Sequence, residues 1–259
     1  MTVIAAAVGY AFSQRVVFLL VPVFAVLAGI AVLSIPAGAI DLARARDLEP
    51  EPGGRSTGPA GYGILFKSRP LVVFGLCVML FHLANAALLP LVGQKLAAAF
   101  PDEATAMMSA CIVAAQAIML PIALLVGRTA DSWGRKPLFL AGFAILPVRA
   151  ILYTLSDSSF WLIGVQLLDG VGAGVFGALT PLVIADIMRG TGRYNLALGA
   201  IATMQGIGAA LSGLAAGVIV DHFGYSAAFL TLGAAAAVAL IVFALGMPET
   251  AEPETVSRP

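Results

Sequence analysis

Residues 127–136 read Gly127-Arg-Thr-Ala-Asp131-Ser-Trp-Gly134-Arg135-Lys136, a charged string set between two apolar runs at 106–126 and 137–155. Each flanking run approaches the roughly 20 residues needed to cross a hydrocarbon core about 30 Å thick. A turn this short needs glycine at its sharp positions, and a carboxylate with two cations can bind the ends of neighbouring helices. Lys136 alone reads as an anchor at the membrane surface. The string as a whole is too patterned for that.

Further apolar runs lie at 16–40, 70–97, 159–187, 195–220 and 226–247, which with the first two makes seven full candidate spans. They are long, rich in Ala, Gly and Leu, and lack strict alternation, so they predict helices and not barrel strands. Of the 259 residues, 60% are hydrophobic and only 11% charged, which excludes an ordinary soluble domain, a disordered chain and collagen. Lys plus Arg balances Asp plus Glu at 14 each, so no basic excess points to nucleic acid. Cys77 and Cys111 lie inside apolar runs without a C-x-x-C or a flanking His pair, so neither zinc nor a disulfide framework is expected. Residues 2–12 form only about 16 Å of helix, a partial span. They start uncharged and end at Phe12, Ser13, Gln14 and Arg15, which argues against a secretory signal.

The Pro-, Gly- and charge-rich stretch 41–69 reads as a linker. It divides the chain into 1–40, the end of an N-terminal half, and 70–247, a six-helix C-terminal half, with a tail at 248–259. If the linker joins two similar halves, about as many residues should precede it as follow it, so the chain is expected to be truncated at its N-terminus. Loop cations set the orientation. Arg44, Arg46, Arg55, Lys67, Arg69, Arg128, Arg135, Lys136, Arg189, Arg193 and Arg258 fall on one side, and only Arg15 on the other. The positive-inside rule therefore places the linker, the 127–136 string and the C-terminus in the cytoplasm.

The pattern G-x-x-x-D-x-x-G-R-K, placed after the second span beyond the linker, resembles the signature loop of the major facilitator superfamily (MFS), which those transporters repeat in each half. The resemblance implies an all-α integral membrane protein, an MFS-type bundle with seven full transmembrane helices plus one partial, including a complete six-helix C-terminal half. It further implies two six-helix halves rocking around a central cavity. In that family the loop aspartate caps a helix start in the opposite half, and the loop arginine pairs with an acid at the cytoplasmic end of the fourth helix. These roles map onto Asp131, Arg135 and Asp186, with Gly127, Gly134 and Lys136 completing the gating motif. The opposing fifth-helix start is absent from this chain, and Thr129 replaces the usual aliphatic residue.

Charges at membrane depth cost several kcal/mol and generally face the protein interior. Arg149 lies about 18 Å into its span and Asp169 about 15 Å into the next, close enough for a long Arg side chain to reach. Either they form a structural ion pair, or they serve proton coupling or substrate binding. Gln166 shares a helix face with Asp169. His82 and Asn85 share another, and Gln116 and Gln205 add polar groups on two further spans. Gly170-V-G-A-Gly174 and Gly213-L-A-A-Gly217 read as ridges for close helix packing.

An intramembrane enzyme is the rival class, but H-E-x-x-H and the phosphate-binding G-x-x-x-x-G-K-[ST] are absent and only one acid lies deep. Nothing suggests the oligomeric selectivity ring of a channel. The expectation is a gradient-driven, proton-coupled transporter of a small molecule, with no metal or cofactor. Its partners would be substrate, protons, the lipid bilayer and the missing N-terminal helices, in a bacterial-type inner membrane. The alternative is an inactive or split-gene remnant that inserts but does not transport alone.

Overall fold

Helix propagation in lipid is forced by the need to satisfy every backbone N–H and C=O within the segment, and a computed structural model describes residues 14–36, 38 and 61–251 accordingly as helices and short turns. The helices are α1 (Gln14–Leu33), α2 (Ile64–Lys67), α3 (Arg69–Asn85), α4 (Leu88–Ala99), α5 (Ala104–Trp133), α6 (Arg135–Leu152), α7 (Ser159–Met188) and α8 (Tyr194–Gly246). The partial helix expected at 2–12, most of the 41–69 linker and the tail beyond residue 251 lie outside the described residues.

Among the described residues, four stretches are long and apolar enough to cross a bilayer: Arg69–Ala99, Ala104–Trp133, Ser159–Met188 and Tyr194–Gly246. The last holds 53 residues, roughly 80 Å of continuous helix if unbroken. It is broken. Gly224 takes φ 80°, ψ 174°, a conformation open to glycine, and divides α8 between the two runs read at 195–220 and 226–247. Helix α6 is also apolar but carries Arg135, Lys136 and Arg149 within its 18 residues.

Three boundaries differ from the sequence reading. The run 70–97 is two helices, because Pro90 lacks an N–H and its ring crowds the carbonyl four residues back, at Ala86. The N–H of Ala87, left without its helical partner, donates instead to the buried Ser212 hydroxyl of α8 at 2.9 Å. The string 127–136 is not a loop through most of its length: α5 runs on to Trp133, and α6 begins at Arg135. The whole reversal rests on Gly134, at φ 86° and ψ 152°. A helix need not stop where the hydrocarbon does, since charged residues continue it into headgroups and water. Finally, α1 ends at Leu33 and not at residue 40, with Ser34 and Ile35 in a turn ahead of Pro36.

Lipid tails are as apolar as the side chains, so association rests on close packing. Helix α7 lies against α5 where Gly170 and Gly174 face the Ala115 and Met119 carbonyls, positions a Cβ would overfill. The second ridge read from the sequence does not pack this way, because Gly213 and Gly217 face open space. Gly208 makes the close approach on α8, against the Met79 carbonyl of α3. An aromatic cluster ties the bundle together. Phe81 of α3 stacks on Phe176 of α7 with centroids 4.0 Å apart, and Phe143 of α6 stacks on Phe243 of α8 at 4.8 Å. Such pairs contribute about 0.5–1.5 kcal/mol each beyond area burial.

Candidate functional site

Two charge clusters lie on α6, one at its first residue and one fourteen residues on. At the first, Arg135 reaches back along its neighbours. Its Nη1 donates to Asp131 Oδ1 at 2.7 Å and to the Ala130 carbonyl at 3.2 Å. Its Nε lies 2.8 Å from Asp186 Oδ2 on α7, and Asp186 also faces Arg189 at 3.4 Å. Asp131 stays largely exposed, while Arg135 and Asp186 are mostly enclosed.

Sequence reasoning missed the group that completes this cluster. Glu249, three residues beyond α8, accepts from the backbone N–H of Arg135 at 2.9 Å and of Lys136 at 3.1 Å. Those N–H groups are among the four that a helix start leaves unpaired, and its partial positive charge favours a carboxylate. Gly134 makes room, since a Cβ there would stand 2.7 Å from Glu249 Oε2. Partial burial raises the Glu249 carboxyl, but N–H donors of Ala251, Lys136, Arg135 and Thr250 outweigh it and hold the carboxyl below its ordinary value. The available signal was an acid in Met247-Pro-Glu249-Thr, just past the last apolar run.

The second cluster lies at depth. Arg149 is buried on α6, with Nη1 donating to Asp169 Oδ1 on α7 and Nη2 donating to Asn85 Oδ1 on α3 at 2.7 Å. The guanidinium also lies 5.9 Å from the Tyr153 ring. Asn85 is the last residue of α3, so this bond ends beside the α3/α4 break. Gln166 is fully buried and accepts from the Tyr153 hydroxyl, a partner not foreseen from the sequence.

These groups border a cavity of about 450 Å³ between α3, α6, α7 and α8, lined by His82, Asn85, Arg149, Asp169 and Gln205 together with apolar side chains. His82 Nδ1 donates to the Val78 carbonyl at 2.9 Å, and because a carbonyl only accepts, Nδ1 carries the proton. Gln116 lies apart from this cavity, in a smaller one of about 180 Å³ beside α5. Asp169 borders both. At the far end of the bundle, Lys95 of α4 pairs with Asp157 and lies 5.8 Å from the Phe229 ring.

Apolar helices arranged around a polar, charge-paired cavity define a multi-pass integral membrane protein. The chain belongs to the Major Facilitator Superfamily, whose sequence profile matches residues 74–259. A Mycobacterium tuberculosis protein named as an uncharacterized MFS-type transporter is 52% identical over 252 residues, covering 97% of this chain and 60% of its own length. The multidrug efflux pump LfrA of Mycolicibacterium smegmatis is 29% identical over 190 residues, covering 71% of this chain and 36% of its own length. The methyl viologen resistance protein SmvA of Salmonella typhimurium is 29% identical over 117 residues, covering 44% of this chain and 23% of its own length. The chain thus spans 60% of the length of the curated relatives it matches over nearly its whole extent.

Proposed function

We propose that the protein is a secondary active transporter that carries a small molecule across the membrane by alternating access, driven by proton movement. The observation that carries this reading is the Arg149–Asp169 pair on the wall of a polar cavity, inside a chain of MFS ancestry. Charges at that depth are costly in lipid and mark substrate or ion pathways. In this reading residues 70–247 form the six-helix C-terminal half and 41–69 the cytoplasmic linker. Residues 1–40 end an N-terminal half whose remaining helices close the cavity from the opposite side. The 60% coverage of the nearly full-extent relatives supports that division, as do the large apolar side chains exposed along α5, such as Leu120 and Leu124.

Arg135, with Asp131 and Asp186, serves as the cytoplasmic gate, and Gly127, Gly134 and Lys136 shape and flank it. A gate biases rocking by making contacts in one state that are absent in the other. His82, Asn85, Gln166, Gln116 and Gln205 supply polar lining for substrate or proton. The excess of loop cations on one side supports a cytoplasmic C-terminus, and the membrane in this reading is a bacterial-type inner membrane.

The test uses full-length protein in everted membrane vesicles, with an imposed pH gradient and a panel of labelled small molecules. At least one should accumulate, and a protonophore should abolish the accumulation. Inserted, folded protein that moves nothing across a broad panel points to the transport-inactive remnant.

A further inference from the structure

We propose that the end of the bundle where α3 and α8 begin binds an anionic phospholipid, with Arg193 and Lys67 receiving the phosphate and Phe66 entering the acyl region beside it. The site lies apart from the cavity and does not depend on the transporter reading.

The register of two helices brings its parts together. Gly75 of α3 faces the Ile201 side chain of α8, and one turn on, the Met79 carbonyl faces Gly208, so the two helices run in the same direction. Carried back to the helix starts, that register brings Lys67 and Arg69 level with Arg193. The Arg193 guanidinium lies 4.3 Å from the centre of the Tyr62 ring, which closes the same corner from the other end of α2. Gly190 and Gly192, at φ 69° and 66°, reverse the chain between α7 and α8, so Arg189 falls at this corner too.

Residues 61–69 and 189–195 hold the cations Lys67, Arg69, Arg189 and Arg193 and no carboxylate. Asp186, which faces Arg189, is shared with Arg135, so the corner stays positive. At a membrane surface each such cation strengthens attraction to anionic lipid about fivefold. Stacking engages the face of a guanidinium while phosphate recognition uses the N–H groups in its plane, so one arginine can do both.

Helix α2 supplies the apolar half of the site. Leu65 packs against the core, whereas the next residue, Phe66, is 85% exposed and Tyr62 69%. An aromatic ring beside a lysine at the start of a membrane span suits the headgroup boundary, with the ring in lipid and the charge at the phosphate. A free anion would engage the cations and leave Phe66 in water. A phosphate carried on acyl chains satisfies both.

The experiment titrates full-length protein in detergent with dioleoyl phosphatidylglycerol or dioleoyl phosphatidylcholine and reads bound lipid by native mass spectrometry. Phosphatidylglycerol should bind saturably and at least about fivefold more tightly. Arg193→Gln should weaken it about fivefold, whereas Arg128→Gln, which removes an equal charge from α5 outside this corner, should change it by less than about twofold. Phe66→Ser should weaken it as well. Should Arg193→Gln fail to fold, the wild-type protein carries the test through a phosphatidylglycerol bearing a diazirine on its headgroup. Its cross-links should map to 61–69 or 189–195, and unlabelled phosphatidylglycerol should compete them away while phosphatidylcholine and inorganic phosphate should not.

Equal binding of the two lipids, equal losses from Arg128→Gln and Arg193→Gln, affinity indifferent to Phe66→Ser, or cross-links confined to other segments would each overturn the proposal. Competition by inorganic phosphate as effective as that by the lipid would make this a site for free anions and overturn the lipid. Absence of labelling, the result if another part of the full-length protein covers the corner, would overturn it too.

Discussion

Arg135 and Arg149 lie on the same helix, fourteen residues and about 21 Å apart, and the chain handles them differently. Arg135 sits at the helix start among two paired carboxylates, Asp131 and Asp186, while Glu249 receives the backbone at the same corner. Arg149 has one carboxylate and one neutral amide. Where water and headgroups reach, charges can be numerous and share partners, because each ion alone costs little. At depth the charges are matched one to one, and each partner's cost depends on the other's presence. The rim cluster should therefore absorb single changes, and the deep pair should not.

The largest effect should come from Arg149→Ala, which strands the Asp169 carboxylate. We expect a loss of about 3 kcal/mol or more in folding stability, the order seen when one partner of a buried pair is removed. The double change Arg149→Ala with Asp169→Ala should be milder than the more damaging single, with a coupling of about 1 kcal/mol or more. Thermal unfolding of the four proteins in detergent, followed by size-exclusion chromatography, reads the cycle. Strictly additive losses would show that the two groups act independently.

Arg135→Ala should be milder, because Asp131 is largely exposed and Asp186 keeps Arg189 within reach. A loss of about 1–2 kcal/mol is expected for one enclosed acid with a weakened partner. Insertion should stay normal while gradient-driven transport falls, as vesicle assays beside a surface-expression control would show. Transport at the wild-type rate would reduce the whole string to a topological anchor.

Glu249→Gln should cost less again, about 0.3–1 kcal/mol for an acid at a helix start. The sign with pH follows from the direction of its shift. A carboxyl held lower in the folded state contributes stability that is present above its ordinary value of 4.5 and lost as pH falls through the folded value. The difference between wild type and Glu249→Gln should thus be constant near neutrality and close only in the acid range below about pH 4.5. A gap that widens on acidification would contradict the capping account. Smallest of all should be Lys95→Gln, since its partner Asp157 is 82% exposed. Such pairs contribute about 0–1 kcal/mol, and the thermal midpoint should move by no more than that implies.

Much of this arrangement was legible in the sequence, for reasons that differ residue by residue. Apolar run length marks bilayer-scale helices directly, and Arg149 and Asp169 stood out because charge in such a run is rare. Their depths along two consecutive spans put them within reach of one another, an ion pair being one of two readings the sequence allows. The break at Ala86–Ala87 was written in Pro90 but hidden by the uniform hydropathy of 70–97. The extent of α5 was obscured because hydropathy records where lipid ends and not where the helix does. Glu249 was out of reach for another reason: its contacts lie 113 and 114 residues away, to backbone N–H groups that no side-chain pattern reports. The contrast between the Gly170 and Gly213 ridges is of the same kind, since identical spacing says nothing about which face meets a neighbour.

If the deep carboxylate Asp169 couples solute movement to the proton gradient, full-length protein in proteoliposomes will reveal it. For whichever panel compound wild-type protein moves best, uphill accumulation under an imposed pH gradient would be measured beside exchange at equal pH. Asp169→Asn, in the fraction that reconstitutes folded, should abolish the accumulation while retaining exchange at a saturating solute concentration. Wild-type accumulation by Asp169→Asn, at matched reconstitution, would contradict the account.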